Sequence, residues 1–419
     1  MKREKLEETL TMLAGRGSIV VFFIMAFEVM IMISPFAFFF YSVFNPIFKW
    51  LDQYAATRWL TSFFLPHMIL PPTLFLKSVR ILGSAFFIIG ALSFIICALQ
   101  VYLGKIFKWG IASKGLYSYI RHPQYLSLGL WGIGMSILWP RFIVLASLSL
   151  MFILYYFLAK DEEQRMLRHY GKSYEQYINR TGMFSPKFLE SHLNLRIKPL
   201  IMPLIIVTVV IGAGFLLRAI TLNSLPFAAK DNITLVSMLP EDNKLSAPAL
   251  NGIIKVRAEG KLKILKPDKD YLGYLMYPDY IMQGMIANTG GEFHLYKQHH
   301  TVSMISDWVL HPFQHLRSSP SLHMAKIHNV DPAIARRHHC PLGINDPNLT
   351  CETCPYRRVI VVEVDNGYGR HLSGKQLLSF NTRRMPICSI DINTQTGEII
   401  NIKEVEEATA WKDVPTPAI

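Results

Sequence analysis

The stretch GLYSYIRHPQYLSLGLWGIGMSILWPRFIVLASLSLMFILYYFLAKDEEQ, residues 115–164, decides how the first half of this chain folds. Its two runs Tyr125–Trp139 and Phe142–Leu158 are apolar, and the break between them falls at Pro140-Arg141. Crossing a hydrocarbon core takes about 20 residues of helix, so the pair reads as a tight helical hairpin in a membrane. A hairpin returns to the side it started from. Arg121, His122, Pro123 and Tyr125 at its entry should therefore meet Asp161, Glu162 and Glu163 at its exit. A cationic and an imidazole group facing a carboxylate pair at the mouth of a helix bundle would form a polar pocket for a charged cofactor, open to lipid on its other side.

Working outward, Ser18–Phe44, Ile81–Leu103 and Pro199–Leu217 are also apolar enough to cross, which makes about five spans. Trp59–Leu76 contains Pro66, Pro71 and Pro72 and reads instead as an interfacial or re-entrant piece. Glu28 lies inside the first span and is either a functional group or a hydrogen-bonded structural one. Residues 1–221 carry 22 Lys+Arg against 10 Asp+Glu, whereas residues 222–419 are nearly balanced at 21 against 20. The basic excess thus belongs to the membrane half and reads as topology rather than as a nucleic-acid surface. Five spans place the basic arm around Lys2 and Arg16, the 104–124 loop and the 159–198 segment on one side, predicted to be cytoplasmic. The rest of the chain would then lie in the periplasm or another exoplasmic space. The first apolar run is too long for a cleaved signal peptide and is expected to stay.

After the hairpin, residues 164–180 read as an amphipathic segment with Tyr170, Tyr174 and Tyr177 at helical spacing and a bend at Gly171. RHPQY followed by EEQRMLRHYGKSYEQYINR resembles the isoprenylcysteine carboxyl methyltransferase and phospholipid methyltransferase family of membrane enzymes, over residues 80–186. The resemblance implies S-adenosylmethionine at the cytoplasmic mouth and a lipophilic acceptor entering from the bilayer. It implies that Tyr119, Arg121, His122, Pro123, Tyr125, Glu162 and Glu163 are cofactor-binding, with Arg180 and Glu163 catalytic. An acceptor carboxylate would gain most from an arginine partner. Membrane steroid and sterol reductases carry a similar segment, but there it ends the protein. Here a glutamate pair, another span and a large domain follow.

Beyond the last span the pattern changes. Residues 222–250 read as a polar, Pro-containing linker, and 251–419 as a soluble α+β domain. Ile253–Leu265 suggests a hairpin around Glu259-Gly260, Val359–Val364 a buried strand, and Ile387–Val405 two strands around a Thr-Gly turn. Phe293–His339 reads as mostly helical and irregular, and it is rich in histidine. Cys340, Cys351, Cys354 and Cys388 suit either two disulfides in an oxidising space or a zinc or iron site. Covalent c-type haem is disfavoured because Pro355 follows Cys354.

Two functions compete at this stage. One is an S-adenosylmethionine-dependent membrane methyltransferase acting on a lipophilic or lipid-linked acceptor. The other is a non-catalytic assembly subunit whose exoplasmic domain binds a protein partner or a metal.

Overall fold

The computed structural model describes residues 50–51, 53–65, 73–108, 110–193, 201–237, 240–276, 309–313, 355–367 and 369–404. The chain forms two compact units, one containing residues 80–215, the other the described residues before 80 and from 216 onward.

The first unit is helical. It comprises most of α1 (Leu74–Ile106), α2 (Pro123–Leu138), α3 (Phe142–Tyr170), α4 (Lys172–Arg180), α5 (Lys187–Leu193) and most of α6 (Met202–Ser224). Among the described residues, three helices are long and apolar enough to cross a membrane: Leu74–Gly104, Phe142–Tyr170 and Met202–Ser224. The predicted count of five is not reached. Ser18–Phe44 lies outside the described residues, and α2, at 16 residues, is short for a crossing. The expected hairpin is present, with α2 ending at Leu138 and α3 beginning at Phe142. Exposed Leu82, Ile89, Leu92, Ile95, Ile96 and Leu99 give α1 an outward apolar surface suited to lipid.

Helices α1 and α2 pack backbone against backbone. A Cβ on Gly90 would lie 2.4 Å from the Trp131 nitrogen, and one on Gly134 would lie 2.4 Å from the Phe87 nitrogen. Small residues allow such closeness where no hydrophobic effect pulls apolar helices together. Buried Ser127 and Ser136 on α2 satisfy their hydroxyls on carbonyls one turn back, Pro123 and Gly132. The Trp131 indole lies edge-on to Phe87 and tilted against Phe94, filling the space on either side of Gly90.

The second unit is a six-stranded sheet in chain order: β1 (Phe227–Lys230), β2 (Ile233–Ser237), β3 (Asp270–Met276), β4 (Tyr356–Asp365), β5 (Arg383–Asn393) and β6 (Ile399–Glu404). All neighbours are antiparallel except β2 and β3, which are parallel. A parallel pair needs a crossover, and α7 (Ser246–Ala258) supplies it. One face of the sheet, with Leu235, Tyr271, Val359 and Ile390, packs on Ala249, Leu250 and Ile253 of α7. The other face, with Val236, Leu272, Tyr274 and Ile360, packs on Leu225, Leu377 and Leu378.

The sheet carries buried ion pairs. On β4, Arg357 makes a two-point pair with Asp242 (2.9 and 2.8 Å), and Arg358 makes one with its cross-strand partner Asp391 (2.8 and 3.2 Å). Arg218 donates to the carbonyls of Phe63 and Leu378 and sits 4.4 Å over the Phe380 ring. It thereby ties the segment around Phe63 to the sheet unit.

Val359–Val364 and the two strands around Thr396-Gly397 lie as expected, with Gly397 at φ 73°. Two expectations are corrected. The predicted linker 222–250 contains the end of α6, β1, β2 and the start of α7. Its polar Asp231-Asn232 is a hairpin turn, with Asp231 at φ 52°, and ITLVS is a wholly buried strand. Of the predicted 253–265 hairpin, residues 253–258 are instead the end of α7, whose buried Ser246, Ala249, Leu250 and Ile253 recur at helical spacing, and the helix ends before Gly260 at φ 74°. The segment Phe293–His339 lies outside the described residues apart from 309–313.

Candidate functional site

The length of α3 positions the acidic half of the site. Twenty-nine residues make a helix about 43 Å long, against a hydrocarbon core of about 30 Å. It is therefore longer than a crossing needs, and its polar end from Lys160 onward carries Asp161, Glu162 and Glu163. Pro123 begins α2, where its missing N–H costs no helical bond. That start leaves His122 at the N-cap position and Tyr125 one turn in.

These groups converge. The His122 Nδ1 lies 3.5 Å from Glu162 Oε2, and its Nε2 lies 3.4 Å from Glu163 Oε1 without forming a hydrogen bond. Arg121 Nε donates to Glu163 Oε1 at 2.5 Å. The Tyr125 hydroxyl donates to Glu162 Oε2 at 3.3 Å. Tyr125 stacks on His122 on one side and on Tyr155 on the other, with centroids 5.6 and 5.1 Å apart. His122 is buried, the side chains of Arg121 and Glu163 are 7% and 18% exposed, and the Glu162 side chain is 40% exposed. Glu162 is thus the carboxylate that faces outward. Burial alone would lower the His122 pKa, but the two carboxylates outweigh it and hold the imidazole above its ordinary value.

A second layer closes the cluster from below. Residues 119–122 pair with 182–183: Arg121 N–H donates to the Gly182 carbonyl (2.8 Å), His122 N–H to that of Met183 (3.2 Å) and Gly182 N–H to that of Tyr119 (3.2 Å). Arg121 Nη1 also reaches the carbonyls of Ile178 (3.2 Å) and Thr181. The buried Tyr177 donates its hydroxyl to the Tyr117 carbonyl at 2.6 Å, and burial pushes its pKa up to about 12. Glu190 of α5 accepts from Met183 N–H, and Phe184 tilts against His122. Gly182 is packed so closely that a Cβ there would overlap the Ser185 carbonyl.

Of the residues read from the sequence, Arg121, His122, Tyr125, Glu162 and Glu163 come together, with Pro123 buried beside them. The Tyr119 side chain is 65% exposed and joins the cluster only through its backbone. Arg180 is exposed on the last turn of α4, outside the carboxylate cluster. Tyr155 was not anticipated, although it stands seven residues before Glu162 and therefore on the same helix face. Tyr117, Thr181 and Phe184 were also missed, since their roles depend on the fold-back of 182–183.

Cys388 is a free, buried thiol on β5 within the sheet core, and burial pushes its pKa up to about 12. Cys340, Cys351 and Cys354 lie outside the described residues. Among the described residues no group of three His, Cys, Asp or Glu side chains is placed to hold a metal ion.

Residues 79–173, which contain α2, α3 and the whole polar cluster, match the family model described as phospholipid methyltransferase, so the resemblance read from the RHPQY and glutamate-pair motifs holds over this segment. Within the same class, 91 residues are 31% identical to a protein-S-isoprenylcysteine O-methyltransferase of Schizosaccharomyces pombe. That alignment covers 19% of this chain and 38% of the relative, so the chain spans well under half the length of that curated protein. No solved structure matches the chain.

Proposed function

We propose that this protein is an S-adenosylmethionine-dependent methyltransferase of the membrane, acting on a lipophilic or lipid-linked acceptor. One observation carries the reading. Across an apolar hairpin, His122 and Tyr125 meet Glu162 and Glu163 at a single mouth, inside the segment that matches the methyltransferase family. The S. pombe relative's name points to a prenylated cysteine carboxylate as the kind of acceptor to test first.

The residues present fit such a cofactor. Glu162 offers an outward-facing carboxylate to a cationic or hydroxyl-bearing ligand, the stacked Tyr125 and Tyr155 rings offer an aromatic wall, and His122 Nε2 is a buried polar atom without a hydrogen-bond partner among the described residues. On this reading Tyr119, His122, Pro123, Tyr125, Glu162 and Glu163 line the cofactor pocket. When bound, the cofactor supplies a methyl group activated on a sulfonium. The chain's own part is to orient nucleophile and methyl in line and to keep water out. Arg180, exposed and within electrostatic reach of Tyr177, is the group proposed to hold an acceptor carboxylate. The mouth would face the cytoplasm and the sheet unit the opposite compartment, as the charge distribution suggests.

The test is direct. Protein in nanodiscs is titrated with S-adenosylmethionine, then assayed for transfer of a labelled methyl group to an S-prenylcysteine. Binding and transfer that fall at least tenfold in His122→Ala and Glu163→Ala support the reading. Absence of any affinity in the wild type, or affinities unchanged in both variants, sinks it. Nothing in the comparisons favours the assembly-subunit alternative.

A further inference from the structure

We propose that Arg121 is a positioning residue and not a cofactor ligand: it latches the end of α4, with Arg180 on it, against the His122–Glu163 pair. The inference rests on the methyltransferase reading above for its consequence, but not for its geometry.

The guanidinium is already committed. Its Nε donates to Glu163, its Nη1 is shared between the carbonyls of Ile178 and Thr181, and the side chain is only 7% exposed. Little of it remains to face an incoming ligand. Its targets are telling. The last carbonyls of a helix lack intrahelical donors, and a cation there also meets the negative end of the helix dipole. Arg121 therefore acts as a C-terminal cap for α4 supplied from another segment, 57 residues away in the chain.

The latch has two further strands. The backbone ladder between 119–122 and 182–183 places the RHP turn beside the chain that follows Arg180. The Tyr177 hydroxyl on the Tyr117 carbonyl fixes the other side of α4. One side chain thus sets two distances at once. It holds the Glu163 carboxylate beside His122, and it holds the turn bearing Arg180 at a fixed height beside the mouth. Lysine cannot substitute, because a compact ammonium lacks the planar fork that bridges a carboxylate and two carbonyls.

The experiment uses the full chain in nanodiscs and four proteins: wild type, Arg121→Lys, Arg121→Gln and Arg180→Ala. Hydrogen exchange is read at the amides of Arg121, His122 and Gly182. Both Arg121 variants should lose about tenfold in protection there, and Arg180→Ala should lose none. Arg121→Lys should lower kcat by about 100-fold, the effect of an ångström-scale misplacement. Its affinity for S-adenosylmethionine should fall by less than that of Glu163→Ala, because the Glu163 carboxylate itself remains. The double variant Arg121→Lys/Arg180→Ala should be no slower than the worse single one, because both remove the same alignment. A rise in the cofactor Kd beyond about tenfold with exchange unchanged would overturn the proposal and make Arg121 a ligand. Wild-type exchange with wild-type turnover in Arg121→Lys overturns it as well. A wild-type protein that binds no S-adenosylmethionine refutes the methyltransferase reading instead, and the exchange comparison still decides the latch.

Discussion

Replacing Gly90 by alanine asks whether the seam between α1 and α2 sets the geometry of the mouth. The added Cβ would lie 2.4 Å from the Trp131 nitrogen and 2.8 Å from both the Ser127 carbonyl oxygen and Trp131 Cα. All three atoms are helix backbone, so none can rotate aside. Ordinary contact begins at 3.4 Å, so the helices must part by about 1 Å at this level, losing a quarter to a half of the dispersion contact along the seam. Forcing a methyl into a filled interface costs about 1–3 kcal/mol. The rigid backbone and the equally close contact at Gly134 put the expected destabilisation at the upper end, about 2–3 kcal/mol. His122 caps the start of α2 and Tyr125 lies in its first turn, so on the proposed function a shift of this size should also cut methyl transfer by about 100-fold. Thermal unfolding in detergent and single-turnover transfer in nanodiscs measure the two effects. Gly134→Ala should behave alike, and the double variant should fall short of the sum, because the second methyl enters a seam already opened. An unfolding curve for Gly90→Ala that overlays the wild type, or strict additivity in the double variant, refutes the reasoning.

Three other outcomes follow from the structure. Because the carboxylates hold the His122 pKa above its ordinary value, its charged form stabilises the fold fully below about pH 6.5, and that contribution disappears as pH rises through the raised value. Wild type should therefore lose more melting temperature than His122→Gln between about pH 6.5 and 9, and equal losses would contradict the charged cluster. Asp391→Ala removes the two-point partner of Arg358 from a site where both side chains are at most 5% exposed. Urea-dependent proteolysis of the sheet unit should register a loss of about 3 kcal/mol, with Asp391→Asn between it and wild type. Gly273→Val would drive a side chain into Leu235 and Val359, whose atoms lie 2.3 and 2.8 Å from the position of its Cβ. The expected loss is about 2 kcal/mol or more, checked in the same proteolysis assay, and a neutral result would mean that this face of the sheet is loosely packed.

The features legible in the sequence were those with a local cause. Pro140-Arg141 between two apolar runs gives a hairpin, and a hairpin obliges Arg121 and His122 to meet Glu162 and Glu163. The β5–β6 pair was legible because alternation brackets a Thr-Gly turn. Where the cause lies far away in the chain, reading failed. The run IIKVRAEGKLKIL alternates like a strand, yet the parallel pairing of β2 with β3 requires a helical crossover there, and burial of Ala249, Leu250 and Ile253 settles the matter. The buried Arg357 could not be foreseen either, since its partner Asp242 stands 115 residues away. Nor does the sequence around Arg121 announce its bonds to the carbonyls of Ile178 and Thr181. Only the fold-back of 178–183 shows that most of its donors are already engaged.

The mouth follows from helix lengths more than from any single residue. About 20 of the 29 residues of α3 suffice to cross the core, and counted from Phe142 these end at Asp161, so Glu162 and Glu163 are the next residues along the helix. Shortening α3 by one turn would draw them about 5 Å inward, where an ionised carboxylate is costly and where His122, fixed by Pro123 at the start of α2, could no longer reach them. The short α2 fits the same logic. Sixteen residues reach about 24 Å, and the close seam that Gly83 and Gly90 of α1 form with Gly134 of α2 sets the longer α1 beside it. The glycines, the length of α3 and the proline start are thus three parts of one device that holds an imidazole between two carboxylates.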